Sequence, residues 1–175
     1  EINVPAAYHR TVRETLLKAG EDIGLKDVGF GASLSMRLEK SYGIWSREFT
    51  QADTPQETLF DRFIDFSKPD FVGKQAAVAE KETQSAKRRL VTIEVDATDA
   101  DASGYEPIWR DGAMIGYVTS GGYGFTIGKS IALALVDKEH AVPGTEVRTH
   151  IVGDERAARI IEDSPYDPMG KAMRG

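Results

Sequence analysis

The sequence contains no cysteine in its 175 residues. Without a thiol, the chain can form no disulfide, no thiolate zinc site, no thiol-ligated iron–sulfur cluster and no cysteine nucleophile. The absence of cysteine is consistent with a reducing compartment.

Long apolar runs and an excess of basic residues are also missing. No window approaches the roughly 20 apolar residues that a membrane span needs. The 22 Lys and Arg against 28 Asp and Glu give a net charge of −6, which argues against a broad basic surface for nucleic acid. Residues 1–5 lack the basic start and apolar core of a signal peptide. The sequence therefore predicts neither a membrane nor a nucleic acid as a partner.

Helical periodicity dominates the first half of the chain. Apolar residues recur at helical spacing from Tyr8 to Ala19, and Gly20 can end that helix. The elements predicted here are a strand end over residues 1–5, helices over residues 8–19, 32–39 and 74–82, and a strand over residues 63–66. We therefore predict an α+β region over residues 1–84, bounded by the polar stretch 81–89.

Branched residues and tight turns dominate the second half. Asp111-Gly112 is a dipeptide preferred by two-residue type I′ hairpins, and Gly153-Asp154 is predicted to join the last two strands. The predicted strands cover residues 90–95, 108–109, 114–118, 131–136, 147–152 and 156–161. Short strands with tight turns and no helix between them predict a small antiparallel barrel or sandwich over residues 85–163. Residues 164–175 are predicted to be a surface tail.

The segment GGYGFTIGKS, over residues 121–130, ends like a phosphate-binding loop. Such a loop needs a glycine where this sequence has Tyr123, and it needs a helix where residues 131–136 are typical of a strand. The glycine spacing also departs from the dinucleotide-binding fingerprint. We therefore interpret the segment as a glycine-rich strand–turn–strand connection.

Acidic residues over 99–104 imitate the start of a calcium-binding EF-hand loop. The twelfth position, which should be a bidentate glutamate, is Arg110, so a solvated acidic turn is the better interpretation. The histidines are scattered without metal-ligand spacing, at His9, His140 and His150. We predict no metal site. Asp61 and Asp65 are interpreted as a salt-bridged face of the predicted strand, with a pair of catalytic carboxylates as the alternative.

Several motifs, in the same order along nearly the whole chain, resemble the glycine-cleavage T-protein family. They are RLEKSYGIW over residues 37–45, TPQE over 54–57, KPDFVGK over 68–74, TSGG over 119–122 and GKSIA over 128–132. Within that family, two motifs are most similar to the folate-binding half of dimethylglycine and sarcosine dehydrogenases. They are Glu-Lys-x-Tyr-x-x-Trp, over residues 39–45, and the tail motif Tyr166-Asp167-Pro168.

The resemblance implies the C-terminal part of a folate-binding domain over residues 1–84, the T-protein barrel over 85–163 and a tail over 164–175. It implies oxidative N-demethylation of an amine such as dimethylglycine or sarcosine, with transfer of the carbon to tetrahydrofolate. In the family, the catalytic aspartate lies upstream of the segment that this chain matches, as does the FAD domain of the dehydrogenases. We therefore expect no catalytic residue in this chain and FAD only in the parent protein. We also expect no turnover by this chain alone. The implied partners are folate, the methylated amine and the upstream domain, in the bacterial cytoplasm or the mitochondrial matrix.

Five folate-binding residues are carried over from the resemblance. Glu1 matches a glutamate that grips the pterin ring, whose N–H and exocyclic amine can donate two parallel hydrogen bonds to one carboxylate. Ile2 and Asn3 match the adjoining folate contacts. Arg62 stands where the dehydrogenases have a folate-contacting tyrosine, and Tyr166 resembles a late tyrosine that closes over the folate.

The alternatives concern the type of protein. Ser33 replaces an arginine of T-proteins proper, which favours the dehydrogenase branch over glycine cleavage. A stand-alone aminomethyltransferase or related demethylase is the second interpretation. A non-catalytic folate-binding or domain-docking module is the third interpretation. Within it, the iron–sulfur-assembly relatives are disfavoured because this chain lacks their signature cysteine.

Overall fold

Three short α-helices precede a closed barrel and a fourth follows it in this computed structural model, which describes residues 1–174. The helices are α1 His9–Ala19, α2 Phe30–Glu39, α3 Lys74–Thr83 and α4 Lys171–Arg174. The strands are β1 Arg88–Val95, β2 Pro107–Arg110, β3 Ala113–Gly124, β4 Lys129–Asp137, β5 Glu146–Ile151 and β6 Asp154–Ile161. Two compact units are present, Glu1–Ser33 and the chain from Leu34 onward. No helix among the described residues is long and apolar enough to cross a membrane.

The six strands close into an antiparallel barrel in the order β1-β4-β3-β2-β5-β6. Closure pairs β1 with both β4 and β6, so neither edge of the sheet is left open. Branched side chains that point inward, such as Ile93, Ile108 and Ile160, form the fully buried core. The predicted barrel is confirmed.

The apolar run of β4 is buried on both faces. Alternate residues, among them Ala132 and Ala134, belong to the barrel interior. The residues between them, such as Leu133, pack on the outer face against Leu38 of α2 and Leu90 of β1. This double burial explains why residues 131–136 show no alternation of apolar and polar side chains, and it fixes the end of α2 on the barrel wall.

Both hairpin turns contain residues with positive φ. Asp111 and Gly112 have φ values of 51° and 80°, as the type I′ prediction requires. In the second hairpin the residues with positive φ are Val152 and Gly153, at 51° and 88°. The predicted turn at Gly153-Asp154 is therefore wrong by one residue, since Asp154 already belongs to β6.

The glycine-rich segment joins two strands, as predicted. Its turn lies between the end of β3 and the start of β4, and the Gly128 amide donates to the Gly124 carbonyl at 2.8 Å. Gly128 has a φ of 69°, a conformation that favours glycine.

The strand predicted over residues 63–66 is wrong. A 3₁₀ turn covers Asp61–Phe63, and no strand follows before β1. Phe63 instead packs on Phe60, which precedes the predicted strand, with ring centroids 5.2 Å apart. Asp65 accepts hydrogen bonds from Ser67, which lower the pKa of its carboxyl. Residues 1–5 also form no strand, because no described strand pairs with them.

Candidate functional site

Two buried glutamates fix the RLEKSYGIW segment to the barrel. The Glu48 carboxylate, fully buried, accepts hydrogen bonds from the Ile44 amide at 2.8 Å and from the Thr119 hydroxyl at 2.6 Å, and pairs with Arg37 at 3.2 Å. Burial lowers the pKa of the Arg37 guanidinium, and the attraction of Glu48 only partly opposes it. Glu39 accepts hydrogen bonds from two amides of the β3–β4 turn, at 2.6 and 3.0 Å.

The TSGG segment completes this junction. Ser120 donates a second hydroxyl hydrogen bond to Glu48. A side chain at Gly121 would meet the Ala102 carbonyl oxygen at 2.3 Å, so the backbone approach there requires glycine. These motif residues are therefore explained by packing and hydrogen bonding within the fold.

Lys40 holds the C-terminal tail. Its ammonium group, on a residue that is only 9% exposed, donates to the Tyr166 carbonyl at 3.2 Å and to the Asp167 carbonyl at 2.5 Å. The Tyr166 amide donates in turn to the Glu39 carbonyl at 3.0 Å. The tail, predicted only to run over the surface, is thus bound to the end of α2.

A hydroxyl network continues from this point into the barrel. The hydroxyls of Ser41 and Thr92 lie 2.6 Å apart, and the Ser164 amide donates to the Ser41 hydroxyl at 2.7 Å. The Thr92 hydroxyl donates to the Asp163 carboxylate at 3.3 Å. Helix α2, strand β1 and the tail therefore meet in one hydrogen-bonded cluster.

A cleft of about 580 Å³ opens beside this cluster. Its walls come from residues 40–43, from residues 58–63, and from the tail. Four aromatic residues line it, namely Tyr42, Phe49, Phe60 and Phe63. The charged residues that line it are Lys40, Arg62, Asp163 and Arg174. Clefts of this size that combine aromatic and charged side chains are typical sites for organic ligands.

Asp163 is the one acidic residue among the described residues that line the cleft. Burial of its carboxyl raises its pKa, while the hydrogen bond from Thr92 and the positive charges of Arg89 and Arg62 act in the opposite direction. The net effect is a pKa above the ordinary aspartate value, with burial as the dominant cause.

The predicted folate residues fall in two places. Arg62 lines the cleft, and Tyr166 lies in the tail that walls it. Glu1, Ile2 and Asn3 belong to the other compact unit, where all three are exposed. Within that unit Ile2 lines a shallow apolar depression of about 340 Å³ against α1.

Sequence reasoning missed several cleft residues. Phe63 lies in the wrongly predicted strand, and the contact of Phe60 with Phe49 joins residues 11 positions apart, which no local pattern shows. Asp163 and Thr92 carry no local signal, because they are 71 positions apart and meet only in the folded barrel.

Comparison with known proteins places this geometry in a family. Residues 88–167 match the glycine cleavage T-protein C-terminal barrel domain, and residues 1–68 match the GCVT N-terminal domain. The chain belongs to the glycine cleavage T-protein family. The predicted resemblance is confirmed, and the barrel described above is the T-protein C-terminal barrel.

Individual T-protein relatives include two kinds of enzyme. A mitochondrial dimethylglycine dehydrogenase of Mus musculus is 36% identical over 162 residues, covering 89% of this chain and 18% of the relative. An aminomethyltransferase of Caldanaerobacter subterraneus is 36% identical over 166 residues, covering 95% and 44%. The crystal structure of a glycine cleavage system aminomethyltransferase T from Bartonella henselae matches with a TM-score of 0.83 at 25% identity, over 94% of this chain and 45% of that one. The chain spans less than half the length of each.

Proposed function

We propose that this chain is the C-terminal folate-binding part of an enzyme that removes a methyl group from an amine of the dimethylglycine or sarcosine type and transfers the carbon to tetrahydrofolate. The observation that carries the proposal is the cleft, in which family motif residues and the tail together present aromatic rings, arginines and a carboxyl with a raised pKa. Tetrahydrofolate has a pterin, an aromatic linker ring and carboxylates, and this set of side chains suits those groups.

Each predicted folate residue has a distinct role in this proposal. The exposed carboxylate of Glu1 accepts two hydrogen bonds from the pterin ring, and Ile2 and Asn3 contact the same end of the ligand. Arg62 replaces the family's tyrosine with a cation that can stack on a ring or pair with a carboxylate. Tyr166 closes the folate site from the tail.

The chain contributes binding and orientation to the reaction. Holding the one-carbon unit close to the folate nitrogens, away from water, converts an encounter of two molecules into a reaction within one complex. In the proposed enzyme, FAD supplies the two-electron oxidation of the amine, and FAD and the proton-handling aspartate belong to segments outside these 175 residues. We expect no turnover from this chain alone, and we expect the enzyme to work in the bacterial cytoplasm or the mitochondrial matrix.

Titration of tetrahydrofolate tests the binding role. We expect saturable binding by the full-length enzyme that contains this chain, and at least a tenfold loss of affinity in Glu1→Ala, because the pterin loses a bidentate charge-assisted partner (roughly 1.5–3 kcal/mol). Glu21 is an exposed glutamate of the same unit, so Glu21→Ala is the matched control. The full-length enzyme with this change should bind tetrahydrofolate normally. Absence of binding by the full-length enzyme would overturn the proposal.

Turnover tests the reaction. We expect dimethylglycine or sarcosine to be demethylated by the full-length enzyme with transfer of the carbon to tetrahydrofolate, whereas the isolated chain transfers nothing. A stand-alone aminomethyltransferase is the second candidate, favoured by the 36% identity to the Caldanaerobacter enzyme over 95% of the chain. It would use an aminomethyl donor and would not oxidise either amine.

A further inference from the structure

A groove of about 920 Å³ runs over the outer face of the barrel, on strands β5 and β6 and beside the end of β2. This outer groove shares no lining residue with the cleft described above. Carboxylates, guanidiniums and one tryptophan line it. A concave surface that carries charges of both signs beside an aromatic ring has the components of a site for a polar organic ligand.

Four of the seven charged residues that line the outer groove already have a partner. The paired groups are Glu94 with Lys129, Arg110 with Asp111, and Arg148 with Glu155. The other three, Asp96, Glu146 and Arg159, have no oppositely charged group within 4.0 Å among residues 1–174. Two carboxylates against one guanidinium leave a net charge of −1 on these unpaired groups.

Glu146 and Arg159 stand side by side on this face. The register of β5 and β6 makes them direct cross-strand neighbours, and both are exposed, so their β-carbons are roughly 4.5–5.5 Å apart. Arg159 also faces Glu94 across β1, and its guanidinium stands between the two carboxylates without bridging either. The outer groove therefore presents a negative and a positive group next to each other, both free to bind a ligand.

Trp109 supplies the aromatic ring of the outer groove. Its cross-strand partner on β5 is Arg148, which puts Glu146 at a diagonal position about 7–8 Å away, within reach of long and aromatic side chains. His150 packs against the ring at 84°, with centroids 6.3 Å apart. No Lys or Arg among residues 1–174 lies over the Trp109 ring, because the cation–π pairs there involve other rings. The attraction of the indole for a cation is therefore unused.

We propose that the outer groove binds a small zwitterion whose methylated ammonium and carboxylate are one carbon apart. The ammonium lies between the Glu146 carboxylate and the Trp109 ring, and the carboxylate of the ligand pairs with the Arg159 guanidinium. The net charge of the unpaired groups favours such a ligand over a plain carboxylate. The inference goes beyond the proposed function, because neither folate nor turnover enters into it.

Methyl groups on the nitrogen suit this site better than N–H groups. Each methyl replaces a donor that would need its own acceptor, and it presents apolar surface to the indole while the nitrogen keeps its positive charge. A bare ammonium would have to give up hydration that one carboxylate and one ring do not replace. The site should therefore distinguish trimethylglycine from glycine, although the two ligands carry the same charges.

Titrations with three probes test the inference on the 175-residue chain. Trimethylglycine has all the groups, glycine lacks the methyls, and choline replaces the carboxylate by a hydroxyl-bearing carbon. NMR chemical shifts of the Trp109 indole N–H and of the Glu146 and Arg159 amides measure binding, with sodium chloride holding the ionic strength constant. We expect trimethylglycine to saturate these shifts in the millimolar range, and glycine and choline to bind about two- to fivefold more weakly.

Variants at exposed positions assign the two charged contacts. Glu146→Gln should weaken trimethylglycine and choline alike, by about two- to fivefold, because it removes the partner of the ammonium. Arg159→Gln should weaken trimethylglycine by a similar factor and should not weaken choline, which has no carboxylate. Glu82→Gln, at an exposed glutamate of α3 that does not line the outer groove, is the control of equal charge change and should leave all affinities unchanged.

Trp109→Leu should weaken both methylated ligands, since leucine cannot attract a cation. If this variant does not fold, the variants at Glu146 and Arg159 still decide the matter. Absence of saturable shifts, equal binding of glycine and trimethylglycine, or an equal effect of Glu82→Gln and Glu146→Gln would each overturn the inference. Because the measurement involves no folate, its result is independent of whether the full-length enzyme binds tetrahydrofolate or demethylates an amine.

Discussion

The hydroxyl of Ser41 lies 2.6 Å from the hydroxyl of Thr92, and this contact joins the end of α2 to strand β1 behind the cleft. Thr92 is fully buried, so its hydroxyl depends on the two partners that the fold provides, Ser41 and Asp163. The contact is therefore a structural link between the barrel and the cleft wall.

Two fully buried threonines of the barrel predict opposite mutational effects. Thr92 is hydrogen-bonded, whereas the hydroxyl of Thr149 on β5 has no partner within the described chain. Thr92→Val should lower the free energy of unfolding by about 1–3 kcal/mol, because it removes two hydrogen bonds. Thr149→Val should leave the stability unchanged or raise it by up to about 1 kcal/mol, since a methyl group replaces an unsatisfied hydroxyl.

Urea unfolding of both variants provides the measurement, and each variant is the other's size-matched control. A destabilisation by Thr149→Val as large as that by Thr92→Val would show that β-branched packing, and not hydrogen bonding, sets the cost at these positions.

Loss of the Lys40 ammonium group should loosen the C-terminal tail without unfolding the barrel. Lys40→Met keeps the length and apolar stem of the side chain but removes the donors to the Tyr166 and Asp167 carbonyls. We expect hydrogen exchange at the Tyr166 amide to become about tenfold faster or more, because the carbonyls that hold the tail lose a charged donor worth roughly 1.5–3 kcal/mol. Barrel amides should keep most of their protection.

Lys18→Met, at an exposed lysine of α1, is the control for loss of one positive charge. If the tail exchanges at the same rate in Lys40→Met as in the unmodified chain, the tail is held by contacts other than this ammonium group.

The barrel was predictable because its signals are local. Alternation, branched residues and the Asp111-Gly112 turn each arise within a few residues, and the ladder between neighbouring strands then follows. The cleft was only partly predictable. Arg62 of the lining and Tyr166 of the tail came from the family resemblance, whereas the raised pKa of the Asp163 carboxyl comes from its burial in the folded chain, which Thr92 and two arginines only partly oppose.

The error over residues 63–66 has a related physical cause. Alternating apolar residues become a strand only where another strand supplies hydrogen bonds, and here the Phe60 ring packs on both Phe49 and Phe63 beside a 3₁₀ turn. Pattern alone does not show whether a pairing partner is present.

The link between Glu57 and strand β1 predicts a dependence of stability on pH. Burial by itself would raise the pKa of the Glu57 carboxyl, but hydrogen bonds from Thr54 and Arg88 outweigh it and lower the pKa below its ordinary value of 4.5. A carboxyl whose pKa is lower in the folded state stabilises the fold above the unfolded pKa, and that contribution is lost as the pH falls through the folded pKa.

Glu57→Gln should therefore be less stable than the unmodified chain at neutral pH by about 1–3 kcal/mol, and the difference should shrink below about pH 4.5. Urea unfolding at a series of pH values measures this difference. Glu21→Gln is the control at an exposed glutamate, and its difference from the unmodified chain should stay small throughout. A difference for Glu57→Gln that is constant or grows toward acid would mean that the Arg88 pair does not favour the ionised carboxyl.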